Sequence, residues 1–166
     1  MISGPTVDLL LSGHIAISLV AIVAGLVALV ALAAGRWMPR LQAGFLVTTA
    51  LTSVTGFLFP FGGVTPAFVF GILSIVALAL AGLARARRLA SRSARITYAA
   101  AGAFALYLNL VVLVVQSFQK LSPLQRLAPT QSEAPFLAAQ AAVLAIAVLL
   151  GVLASRRTGW DGPVPA

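Results

Sequence analysis

The chain has 166 residues, of which 61% are hydrophobic and 8% charged. Soluble domains run roughly 25% charged and 45–50% apolar, and three acidic residues cannot help to coat a soluble fold of this size with solvated surface. The composition indicates an integral membrane protein. It excludes a soluble enzyme, a nucleic-acid reader and a disordered linker as the main reading. The absence of cysteine excludes disulfides, thiolate nucleophiles, Fe–S clusters and Cys-ligated zinc.

A bilayer-spanning helix needs about 20 apolar residues. Five such runs are expected, at about 7–34, 43–61, 66–84, 96–119 and 133–154. Each must be a helix, because lipid offers no partner to an unpaired backbone group. The whole chain, 1–166, then forms a single all-α domain. The start, MISGPTVD, has no basic segment and leads into an apolar run too long for a signal peptide, so it is expected to open the first span. Residues 35–40 make a short hairpin link with a helix-stopping Gly35 and Pro39. Residues 59–63 make a tight uncharged turn. Thr65 then Pro66 is an N-cap followed by an N1 proline, and Glu133 and Pro135 start the last span in the same style. The tail from Gly159 holds two prolines and two glycines and is expected to be loose. A four-span alternative would make the second and third runs a re-entrant hairpin.

The net charge of +8 comes from eleven Lys and Arg that lie almost wholly between apolar runs, where they read as topology determinants. Arg36 and Arg40, then Arg85, Arg87, Arg88, Arg92 and Arg95, then Arg156 and Arg157 all fall on one side if the spans number five. Only Lys120 and Arg126 fall on the other. The positive-inside rule then places the N-terminus outside and the C-terminus in the cytoplasm. The Arg85 to Arg95 strip also suits anionic lipid head groups. Small residues four apart, Ala21 and Gly25, Ala77 and Ala81, Ala99 and Ala103, Ala138 and Ala142, would let helices approach closely.

Ionisable and amide groups inside a membrane are expensive, so each marks a candidate site. At about 1.5 Å per residue, His14, Thr55, Gln116 and Gln140 all fall about 6–9 Å below the same membrane face. Lys120 sits just above them. Asn109, Gln116 and Lys120 share one face of the fourth span. Two readings compete for this layer: hydrogen bonds that fix helix packing, or a small outward-facing pocket for a quinone, another amphipathic molecule or a proton. Specific chemistries find less support. One histidine cannot make a bis-histidine haem site, and no spacing suggests a metal. No cofactor and no catalytic residue are expected.

The segment Gly13, His14, Ile15, Ala16 leading to Ala24, Gly25, Leu26, with Arg36 and Arg40 after it, resembles small bacterial polytopic inner-membrane proteins. So do the stretches 52–60, 107–109, 116–120 and 128–133. The resemblance runs from about Leu11 to Ala154 and implies a bacterial inner membrane, with no activity to carry over.

Short loops, no soluble domain and few reactive side chains point to an accessory or assembly subunit of a larger membrane complex, or to self-association. The alternative is a small-molecule binder with a site of His14, Thr55, Asn109, Gln116, Lys120 and Gln140. A proton or solute carrier using the Asn109 stripe is a weaker third reading. A carrier needs polar lining on both sides of the midplane, and the Arg-rich half is nearly pure Ala, Leu and Val.

Overall fold

The computed structural model describes residues 4–59 and 65–157. Every element is an α-helix: α1 (Gly4–Ala33), α2 (Pro39–Phe57), α3 (Pro66–Ala86), α4 (Arg92–Lys120), the short α5 (Ser122–Leu127) and α6 (Ala134–Arg156). The expected turn at 59–63 and the expected loose tail lie outside the described residues, apart from Phe59.

Among the described residues, four helices are long and apolar enough to cross a membrane: Asp8–Ala33, Phe68–Ala86, Arg92–Lys120 and Ala134–Arg156. The helix α2 falls short by apolarity, not by length. Its 19 residues include Arg40, Gln42 and five Ser or Thr. Apart from Arg40, which is exposed, those polar groups are turned inward or satisfied locally. Gln42, Thr49 and Ser53 are buried, and Thr48, Thr52 and Thr55 donate to carbonyls one turn back.

Among the described residues, four polar side chains are buried within a mainly Ala and Leu core, while the outer surface is rich in large apolar side chains. The buried polar residues are Gln42, Thr49, Ser53 and Ser74, whereas Val20, Val23, Val27 and Val30 form an exposed stripe along α1. Water would penalise that arrangement and hydrocarbon does not.

The helices α1, α2, α3 and α4 stand in a ring, each packed on the next, with α4 closing back on α1. The helix α6 packs outside the ring against α4 and α1. Close approach follows small residues. Ala21, Ala77, Ala81, Ala99 and Ala103 are buried at these contacts, as expected. The pair Ala138 and Ala142 is not: both are exposed. The seam of α6 is made instead by Ala147, Gly151 and Ala154, and a Cβ added at Gly151 would stand 3.0 Å from that of Ala103.

Several boundaries differ from the sequence expectation for local reasons. Pro39 and Arg40 belong to α2, with Pro39 at its first turn. The helix α1 ends in a Schellman turn: Gly35 takes φ +78, its N–H reaches the Leu32 carbonyl, and the Arg36 N–H reaches that of Ala31. Arg88 and Leu89 close α3 in the same way, at φ 53 and 50. Arg92 and Arg95 lie in the first turn of α4, not in a loop. Ser91 caps α4 by accepting from the Ala94 N–H at 3.1 Å. Thr65 caps α3 as expected, accepting from the Phe68 N–H at 3.2 Å. Glu133 does not cap α6 with its side chain.

Candidate functional site

A cavity of about 550 Å³ opens among α1, α2, α3 and α4 at the Arg-poor end of the bundle. That lies within the range of small-molecule sites, about 300–1,000 Å³. From Leu11 to Ile22 on α1, and from Lys120 to Leu108 on α4, its lining covers about 16–18 Å of helix. The wall is mainly apolar and aromatic, with Phe57, Phe59, Phe68 and Phe70 toward the mouth.

Of the six residues expected from sequence, four line this cavity: His14, Asn109, Gln116 and Lys120. Three of them form the predicted stripe on α4. Thr55 is not in the wall but holds His14, with His14 Nδ1 2.8 Å from Thr55 Oγ1. The Thr55 hydroxyl has one proton, and it lies 2.7 Å from the Leu51 carbonyl. With that proton on Leu51, His14 Nδ1–H is the donor to Thr55, and Nε2 is the free acceptor of the neutral ring. The Phe59 and His14 rings meet at right angles, with centroids 5.3 Å apart. A Cβ on Gly56 would stand 3.6 Å from His14 Cε1, so a small residue there leaves the ring its place. Gln140 is half-buried on α6 and does not line the cavity. It shares the depth of the others, but its helix stands outside the ring. Depth follows from residue counting, and direction around the bundle does not.

The cavity floor is polar. Asn109 Nδ2 donates to Thr49 Oγ1 at 3.3 Å, joining α4 to α2. Ser53 and Ser74 are buried beside it. Beyond the floor stands an apolar plug. Phe45, Leu29 and Leu106 are almost fully buried and meet around Gly25 and Gly102.

A second polar cluster lies past the plug, at the Arg-rich end, and sequence reasoning missed it. Gln42 is 1% exposed. Its amide donates to the Ala28 carbonyl at 3.0 Å, and its Oε1 accepts from the Tyr98 hydroxyl at 3.0 Å. The Tyr98 ring packs edge-on to Trp37 at 5.4 Å, and the Arg85 guanidinium lies 5.6 Å over the Trp37 ring. The available signal was Gln42 itself, an amide at the edge of the second apolar run, outside the expected span. Of the five arginines considered for lipid head groups, Arg85 and Arg95 are half-buried. Arg95 donates through Nε to the Leu89 carbonyl at 2.9 Å. Arg87, Arg88 and Arg92 are exposed and open to head groups.

At the mouth, Phe118, Ala128 and Phe136 form a small separate core under α5. Glu133 ties the loop down, accepting from the Thr130 N–H and hydroxyl and from the Ser132 N–H. Partial loss of solvent opposes ionisation of this carboxyl, but the hydrogen bonds from Thr130 and Ser132 outweigh it and hold its pKa below the ordinary value.

Comparison with protein families, with curated proteins and with solved structures finds no match for this chain.

Proposed function

We propose that this chain is a five-span membrane protein without catalysis of its own that holds an amphipathic small molecule in the cavity among α1–α4. The single observation that carries the binding reading is the cavity itself. It is apolar along its wall, polar at floor and mouth, and lined by four of the residues that sequence singled out.

Two contacts support a fifth crossing by α2. Gln42 meets α1 at Ala28 and Thr55 meets it at His14. The two helices therefore run antiparallel over about 20 Å, so α2 lies alongside the middle of α1. With five crossings, the nine arginines around the α1–α2 link, the α3–α4 link and the C-terminal end fall on the cytoplasmic side. The cavity then faces outward. A bacterial inner membrane is the setting that the resemblance implies.

The chain has no cysteine, so single cysteines report topology cleanly. Ser122→Cys should react with an impermeant maleimide on intact cells, and Ala90→Cys only after permeabilisation. The reverse pattern would overturn the orientation.

The plug around Phe45 argues against a carrier, since it separates the floor at Asn109 from the cluster at Gln42. Association with another membrane protein is a second reading, supported by the exposed Ala138 and Ala142 on α6, a small-residue pair with no partner helix in the bundle.

Native mass spectrometry on protein from its own membrane tests the proposal. A bound small molecule, lost when Val112 in the cavity wall is changed to Trp, is the expected result. A co-purifying protein and an empty cavity would replace binding with the accessory-subunit reading.

A further inference from the structure

The ligand class follows from where the unused hydrogen-bond donors lie, and this inference rests on the binding reading above. Deep in the cavity the hydroxyls are committed, Ser74 excepted among the described residues. Ser18 donates to the His14 carbonyl at 2.7 Å, Thr52 to that of Thr48 at 2.9 Å and Ser53 to that of Thr49 at 3.1 Å. They offer only lone pairs to a guest. The mouth is the opposite. Gln116, Ser117 and Lys120 stand on one face of the last turn of α4 and line the cavity. Among the described residues, none of their side chains has a hydrogen bond or an ion pair.

The charge is one-sided as well. Among the described residues, Lys120 carries the only formal charge in the lining, and no carboxylate shares the wall. Glu133, the acidic group of the neighbouring loop, is turned onto Thr130 and Ser132. The C-terminal end of α4 contributes roughly half a negative charge, which the Lys120 ammonium exceeds. An ammonium, an amide and a hydroxyl with nothing to bind will accept a head group rich in acceptor oxygens. Phe57, Phe68, Ile15 and Leu113 line an apolar path that runs about 10 Å from Gln116 down to Asn109.

We propose that the cavity selects single-chain amphiphiles with an anionic head, a carboxylate or a phosphate, seated on Lys120, Gln116 and Ser117, with the apolar chain running inward between α1 and α3. Such a molecule enters either from the outer leaflet or from the aqueous side, and the head-group chemistry is the same for both.

The test uses the full chain in a non-ionic detergent, with dodecanoate, dodecyl phosphate and dodecanol as probes at pH 8, read by native mass spectrometry. The expected result is binding of both anions at least tenfold tighter than dodecanol. Lys120→Met should remove that preference, and Lys120→Arg should keep it. Lys120 is exposed, so neither change threatens the fold. Repeating the titration with each anion supplied in nanodiscs or from solution separates the two routes of entry. Equal binding of dodecanol and the anions would overturn the anionic preference and leave the cavity as an amphiphile site. Binding of none of the three, with no co-purifying molecule, would overturn the binding reading too.

Discussion

Nδ1 of His14 lies 2.8 Å from the hydroxyl of Thr55, on the neighbouring helix. That hydroxyl also lies 2.7 Å from the Leu51 carbonyl of its own helix. One proton cannot serve both. The neutral ring should therefore carry its proton on Nδ1, where most histidines in water favour Nε2. His14 is the chain's one histidine, so nitrogen NMR of histidine-labelled protein gives a single pair of signals. We expect a protonated Nδ1 and a bare Nε2, shifting toward the Nε2–H form in Thr55→Val. An Nε2–H form in the unaltered protein would contradict the assignment.

The approach of α1 to α2 depends on Gly25. A Cβ there would stand 2.6 Å from Phe45 Cε2 and 3.1 Å from Leu106 Cδ1, and Phe45 is 1% exposed, with no room to move. Overpacking of this kind costs about 1–3 kcal/mol, against at most about 1 kcal/mol gained from helix propensity. Gly25→Ala should lower the melting temperature in mild detergent. Gly82→Ala, which meets nothing within 4 Å, should leave it unchanged or raise it. A rise in both would show that the α1–α2 contact yields.

Gln42 and Tyr98 form one buried unit. Tyr98→Phe leaves the Gln42 oxygen without its donor, at a cost of about 1–3 kcal/mol. Gln42→Leu takes the amide acceptor from the Tyr98 hydroxyl, which still has the Arg85 guanidinium beside it. The double change should cost less than the sum of the singles by about 0.5–3 kcal/mol. Strict additivity in chemical unfolding would mean that the 3.0 Å bond contributes nothing.

The α5–α6 loop should respond to acid. Glu133 has its pKa lowered in the fold, so its stabilisation is present above the unfolded-state pKa. It is lost as pH falls through the lower folded value. The melting-temperature gap between the protein and Glu133→Gln should be open at pH 7 and close below the ordinary carboxylate range. A gap that persists in acid would assign the effect to packing.

The all-helical character and four apolar spans were legible in the sequence, because length and hydropathy mark a span. The stripe of Asn109, Gln116 and Lys120 was legible because all three lie on one helix, where spacing alone gives the face. Gln140 and Ala138 were not. Their neighbours depend on which side of α4 the helix α6 occupies, and nothing in a single chain of apolar residues encodes that. Gln42 was missed for a different reason. An amide at the end of an apolar run looks like loop, and only the partner Tyr98, 56 residues away, shows it to be core. The short α5 could not be seen in the sequence, because six residues cannot show a period.

The most direct measurement is photo-crosslinking of the full chain in its membrane with a diazirine-bearing fatty acid, the labelled peptides being mapped by mass spectrometry. Binding in the cavity predicts labels concentrated on residues 11–22 of α1 and 108–121 of α4, and lost on competition with dodecanoate. Labels spread along the valine stripe of α1 and the open face of α6, without competition, would mean that the probe reports bulk lipid and that the cavity holds no such guest.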